Sequence, residues 1–142
     1  MTHDPLEYER SPIPEGVLLD ADGEPVPLRG LAHERAVLMV FPGWAGDERD
    51  AALRTISAWR GRMPLVELVV VAKDPQVEHE ELASCADRVL GDPRGTIQEM
   101  FGAKGHVVAV LLGTDGLLAG GPVAGADGLA SLVQGMAMSF QE

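Results

Sequence analysis

Apolar positions fall into short runs separated by turn-forming residues, and their spacing predicts alternating strands and helices. Val17-Leu18-Leu19 and Val26-Pro27-Leu28 flank Asp22-Gly23 and read as a hairpin. Ala36 to Phe41 is an uninterrupted apolar run of strand length, stopped by Pro42-Gly43, which suits a central strand buried on both faces. Its expected partner is Leu65 to Ala72. Between them, Asp47 to Arg62 places Ala51, Ala52, Ile56 and Trp59 close to one helical stripe, with carboxylates in the first turn and Arg60 and Arg62 in the last. Strand, helix, strand in this order is a βαβ unit with a right-handed crossover.

Further along, Gln76 to Ala86 predicts a second helix and Arg88 to Leu90 a short strand. A turn at Gly91-Asp92-Pro93 leads into a helix ending near Phe101-Gly102. Val107 to Leu112 predicts a strand, Thr114-Asp115-Gly116 a turn, Leu117 to Ala119 the return strand, and Asp127 to Ser139 a closing helix. The pattern is that of an α/β domain: a mixed central sheet flanked by helices, with an N-terminal hairpin. At 142 residues one domain is expected, residues 15–142, preceded by a flexible arm over 1–14. The N-terminal residues are polar and Pro-rich with no apolar h-region, so they do not read as a signal peptide.

Charge narrows the partners. With 11 basic against 22 acidic residues the formal charge is −11, which repels nucleic acid and anionic membrane over most of the surface. The apolar runs are of strand length and none approaches a membrane span. A single cysteine, Cys85, cannot form an internal disulfide and fits a reducing compartment, so cytoplasm is the expected location.

Local motifs then point to a family. Asp22-Gly23 with Val26 to Leu31, the strand end Val40-Phe41-Pro42-Gly43-Trp44-Ala45-Gly46-Asp47-Glu48, and Phe101-Gly102 through Val107 to Gly113-Thr114-Asp115-Gly116 keep a characteristic spacing. In both halves this resembles the thioredoxin fold, specifically TlpA-type thiol-disulfide reductases and their peroxiredoxin relatives, over about residues 15 to 138. In that family a tryptophan precedes a Cys-x-x-Cys at the start of a helix, and a cis-proline faces the dithiol. Trp44 matches the tryptophan, whereas Ala45 stands at the nucleophilic cysteine, Glu48 at the resolving cysteine and Val107 at the cis-proline. Neither alanine nor a carboxylate can perform disulfide exchange. A cis bond before a non-proline residue costs about 2.5–4 kcal/mol, so a trans bond is expected before Val107. The cysteine and preceding threonine of peroxiredoxins are missing as well.

The resemblance therefore implies a redox-inactive thioredoxin-fold protein, acting as a binding or accessory module. Its remnant groove would be lined by Trp44, Ala45, Gly46, Asp47, Glu48, His106 and Val107, and would receive a protein or small-molecule partner. One alternative is non-redox acid–base chemistry using Glu48, Asp47 and His106, since the fold brings their segments together. Against it, Asp47 and its acidic neighbours suit ordinary capping of a helix N-terminus. A second alternative is residual thiol oxidoreductase or peroxidase activity through Cys85, although a lone cysteine is more often a small buried hydrophobe and Glu80, Glu81 and Asp87 surround it in sequence. The histidines His3, His33, His79 and His106 show no metal-ligand spacing, and no glycine cluster forms a phosphate loop. No metal and no cofactor are expected.

Overall fold

The structure is a computed structural model and describes residues 11–20, 22–43, 46–60, 66–92, 94–102 and 106–140, without the side chains of 75–77 and 136–140. Among the described residues seven strands form one mixed sheet: β1 (Val17–Leu19), β2 (Pro25–Pro27), β3 (Ala36–Pro42), β4 (Val66–Ala72), β5 (Arg88–Gly91), β6 (Val107–Leu112) and β7 (Leu118–Ala124). Four helices accompany them: α1 (Gly46–Trp59), α2 (Pro75–Ala83), α3 (Thr96–Phe101) and α4 (Gly125–Phe140). The spatial order is β2-β1-β5-β4-β3-β6-β7. The pairs β3/β4 and β4/β5 are parallel, and β1/β2, β1/β5, β3/β6 and β6/β7 antiparallel.

The long apolar runs lie at the centre because both faces of the sheet are covered. Along β3 the side chains alternate: Leu38 and Val40 join one core with Ala52 and Ile56 of α1, Leu82 of α2, and Leu129 and Val133 of α4. Val37, Met39 and Phe41 join the opposite core with Leu18, Leu28, and Ile97 and Phe101 of α3. Trp59, expected on the α1 stripe, is half-buried against the first of these cores.

The hairpin forms as expected: Asp20 accepts the N–H groups of Asp22 and Glu24 at 2.9 Å each, and Gly23 takes a positive φ of 82°. Residues 11–14 pack with the domain. Ile13 is buried and donates its N–H to the Gly116 carbonyl, while Leu118 donates to the Ser11 carbonyl.

Several boundaries move, each for a local reason. Helix α2 starts at Pro75, where a missing N–H costs nothing, and Glu78 reaches back to the Asp74 N–H at 2.9 Å. It stops at Ala83, short of the expected Ala86, where the Cys85 N–H turns back to the Leu82 carbonyl. Helix α1 ends at Trp59, so Arg60 does not serve its last turn; the guanidinium reaches the carbonyls of Ala83, the last residue of α2, and of Ser84 just after it, at 3.3 and 3.0 Å. Arg62 and Leu65 lie outside the described residues. The return strand continues past Ala119 to Ala124, although Gly120-Gly121-Pro122 reads as a break. An edge strand tolerates proline, and a methyl at Gly121 would meet the Ala109 carbonyl at 2.8 Å.

Candidate functional site

The site forms where β3 ends, α1 begins and β6 starts. Pro42 pairs with Val107, which brings the first turn of α1 against the residues preceding β6. Glu48 crosses this gap. Its Oε1 accepts the Val107 N–H at 3.1 Å and lies 3.5 Å from Nδ1 of His106. Its Oε2 faces the start of α4, where a methyl placed on Gly125 would sit 3.8 Å away. The positive end of that helix favours a carboxylate there.

The same peptide unit is held from its other side. Gln98 of α3, only 3% exposed, donates its Nε2–H to the His106 carbonyl. The peptide joining His106 and Val107 is thus clamped at both polar atoms, its C=O by a side chain from one face of the sheet and its N–H by one from the other. Among the described residues the cis peptide is Gly121-Pro122, so the bond before Val107 is trans. A proline at 107 would have no N–H to offer. The valine supplies that donor and Glu48 supplies the acceptor.

Two positioning residues escaped the sequence reading. Asp92, 7% exposed, accepts the N–H groups of Ile97 at 3.3 Å and Gln98 at 3.0 Å, which anchors α3 and aims Gln98. An aspartate in a Gly-Asp-Pro turn ahead of a helix was the available signal. Arg49 donates to the Gly43 carbonyl at 3.0 Å and pairs with Glu78 at 3.1 Å and with Glu81, tying the start of α1 to the end of β3 and to α2. Nothing local distinguishes it from the charged residues beside it.

Asp47 and Gly46 are exposed on the first turn of α1, Gly46 with φ 91°. Asp47 therefore sits inside that turn and not at the cap preceding it. Trp44 and Ala45 lie outside the described residues. His106 remains 68% exposed at its side chain while Glu48 is 42% exposed, so the pair faces solvent.

Cys85 is elsewhere, 4% exposed in the core beneath α1 and α2, with its thiol directed to the Leu82 carbonyl at 3.3 Å. Burial pushes the thiol above its ordinary value, and Glu81 adds to this, while Ser57, Arg60 and Arg49 oppose it. The expected acidic surroundings are corrected in one respect: the fold brings two arginines close, and desolvation still dominates. Among the described residues no group of His, Cys, Asp and Glu could hold a metal ion, and no helix is long and apolar enough to cross a membrane.

No protein-family model and no curated protein matches the chain. Solved structures do. A peroxidoxin, BcpB of Mycobacterium tuberculosis, is similar at 16% identity and TM-score 0.71 over 93% of this chain and 95% of that one. A thioredoxin-like protein from Porphyromonas gingivalis gives 14% identity and TM-score 0.68, covering 90% of each chain. ScoI of Arabidopsis thaliana, solved with copper bound, gives 16% identity and TM-score 0.57 over 89% of this chain and 98% of that one. The protein has a thioredoxin-like fold. Identities this low establish fold and leave function to the site.

Proposed function

We propose that the protein is a redox-inactive thioredoxin-fold accessory module that binds a protein or small-molecule partner on the surface around Trp44, Asp47 and His106. The observation carrying this reading is the Glu48 to Val107 hydrogen bond at 3.1 Å. At the family's dithiol and cis-proline positions the chain has a matched donor and acceptor, which hold the loop but cannot exchange a disulfide. The only cysteine is buried with a raised pKa, the opposite of what a nucleophilic thiol requires. Because the His106–Val107 peptide is engaged at both polar atoms, a partner would be recognised by the exposed imidazole, the Asp47 carboxylate and the indole of Trp44.

An insulin-reduction assay and a peroxide-consumption assay, with and without a thioredoxin reductase, test the redox half. No turnover is expected, and turnover that disappears in Cys85→Ser would overturn the reading. For the binding half, Trp44→Ala should weaken capture of the partner by about 2 kcal/mol or more with little change in melting temperature. A fall in stability of about 3–5 kcal/mol would instead make Trp44 a packing residue.

The second reading, acid–base chemistry, draws on the 3.5 Å approach of His106 Nδ1 to Glu48 Oε1. A hydrolytic or isomerising activity lost in both Glu48→Gln and His106→Asn would support it. The pair's exposure to water and the engagement of Glu48 with backbone favour the binding role.

A further inference from the structure

An opening lies away from this corner, where β1 leaves the sheet. β1 and β5 share a single register pair, Leu19 with Gly91. The two strands therefore part, and a groove of about 430 Å³ opens between β1 and α3. That is within the range of small-molecule sites, about 300–1,000 Å³.

Its walls are Val17 and Leu19 on one side and Ile97 and Met100 on the other. Val17 at 52% and Met100 at 45% are the large hydrophobic side chains most open to water among the described residues, and both face this one groove. Exposed apolar side chains scattered singly need no explanation, but two converging on one concavity do. Gly16 forms part of the lining and touches the opposite wall, since a methyl there would meet Ile97 Cδ1 at 2.7 Å.

Charge selects the ligand. Three ionisable residues line the groove: Glu15, Asp92 and Arg94. Glu15 is paired with Arg29 at 3.7 Å, and the Asp92 carboxylate is spent on the α3 amides. Arg94 is exposed and has no ion-pair partner among the described residues. A guanidinium without an ion-pair partner in the lining of an apolar groove offers a charge-assisted contact to an anion. We infer that this groove binds a small aliphatic carboxylate, its chain lying between Val17 and Met100 and its carboxylate on Arg94.

Calorimetric titration of the full chain with dodecanoate below its micelle concentration tests this, with dodecanol as the uncharged control. Saturable one-to-one binding is expected. Arg94→Gln should weaken it by about tenfold or more, and dodecanol should bind more weakly than dodecanoate by a similar factor. Met100→Glu, at an exposed position and with an unchanged melting temperature, should abolish it. Absence of saturable binding, or affinity indifferent to both substitutions, would overturn the inference. Equal affinity for dodecanol would remove the carboxylate from it. Uptake of an apolar peptide amide, or dimerisation abolished by Met100→Glu, with no dodecanoate uptake, would assign the groove to a protein segment or to a second copy.

Discussion

Two faces of α3 meet regions of opposite character. Gln98 points to the corner where β6 begins, and there the backbone is closed: the His106 carbonyl and the Val107 N–H both have side-chain partners within the chain. Ile97 and Met100 face the groove beside β1, and there apolar surface is left open to water. The corner is where the resemblance in sequence places a candidate site, and its backbone is internally satisfied, whereas the groove matches no catalytic motif yet keeps apolar surface uncovered. At the corner a partner would meet exposed side chains and not free backbone, while in the groove the uncovered apolar contacts mark a second capacity to bind. A buried polar group with its partners in place has little to offer a ligand, while exposed apolar area gains free energy whenever something covers it.

The strongest way to break this contrast is to remove what both regions stand on. Phe41 is fully buried and its ring lies 6.4 Å from that of Phe101 on α3. Phe41→Ala should cost about 3–5 kcal/mol in urea denaturation and disturb both regions together. Loss of one region with the other intact would show that α3 does not couple them. A smaller effect is expected from Gln98→Leu, which leaves the His106 carbonyl without its buried donor and should cost about 1–3 kcal/mol. An effect near zero would mean that the corner is not held from that side.

A double-mutant cycle sharpens the corner itself. Glu48→Ala and Val107→Pro each remove one partner of the same hydrogen bond, so their costs should fail to add by about 0.5–1.5 kcal/mol. Strict additivity would show that the 3.1 Å contact carries no energy and would weaken the case for a compensated site.

The smallest effect concerns a group outside both regions. Burial raises the Cys85 thiol above its ordinary value of 9.0, so the native state holds this proton longer than the unfolded chain does. The stabilisation this provides is complete below the unfolded-state pKa and is lost as pH rises through the raised folded value. Between pH 8 and about 11 the melting temperature of the wild type should therefore fall more steeply than that of Cys85→Ala. Parallel curves would mean that the thiol titrates normally, and that the redox alternative deserves another test.

Most of the architecture was legible in the sequence. Continuous apolar runs such as Ala36 to Phe41 and Val107 to Leu112 became the central strands, because a strand covered on both faces needs no polar alternation. The hairpin at Asp22-Gly23 and the stripe of α1 were equally plain, since turn chemistry and helical period act over a few residues. The motifs of the two halves were enough to place Glu48 opposite His106 and Val107, because the spacing of a fold family carries its long-range register with it.

What the chain does with those positions was decided only in three dimensions. That Gly120-Gly121-Pro122 continues a strand depends on β7 lying at the sheet edge. That Arg60 serves α2 and not its own helix depends on where α2 ends. The clamp on the His106–Val107 peptide joins α1, α3 and β6, and the groove beside β1 exists because one strand pair stops after Leu19 and Gly91. By itself the sequence determined periodicity, turn chemistry and the presence of a single cysteine, all local properties of residue type. Which polar groups are satisfied and which apolar side chains remain uncovered is set by contacts between segments far apart in the chain, and these exist only once the sheet has brought them together.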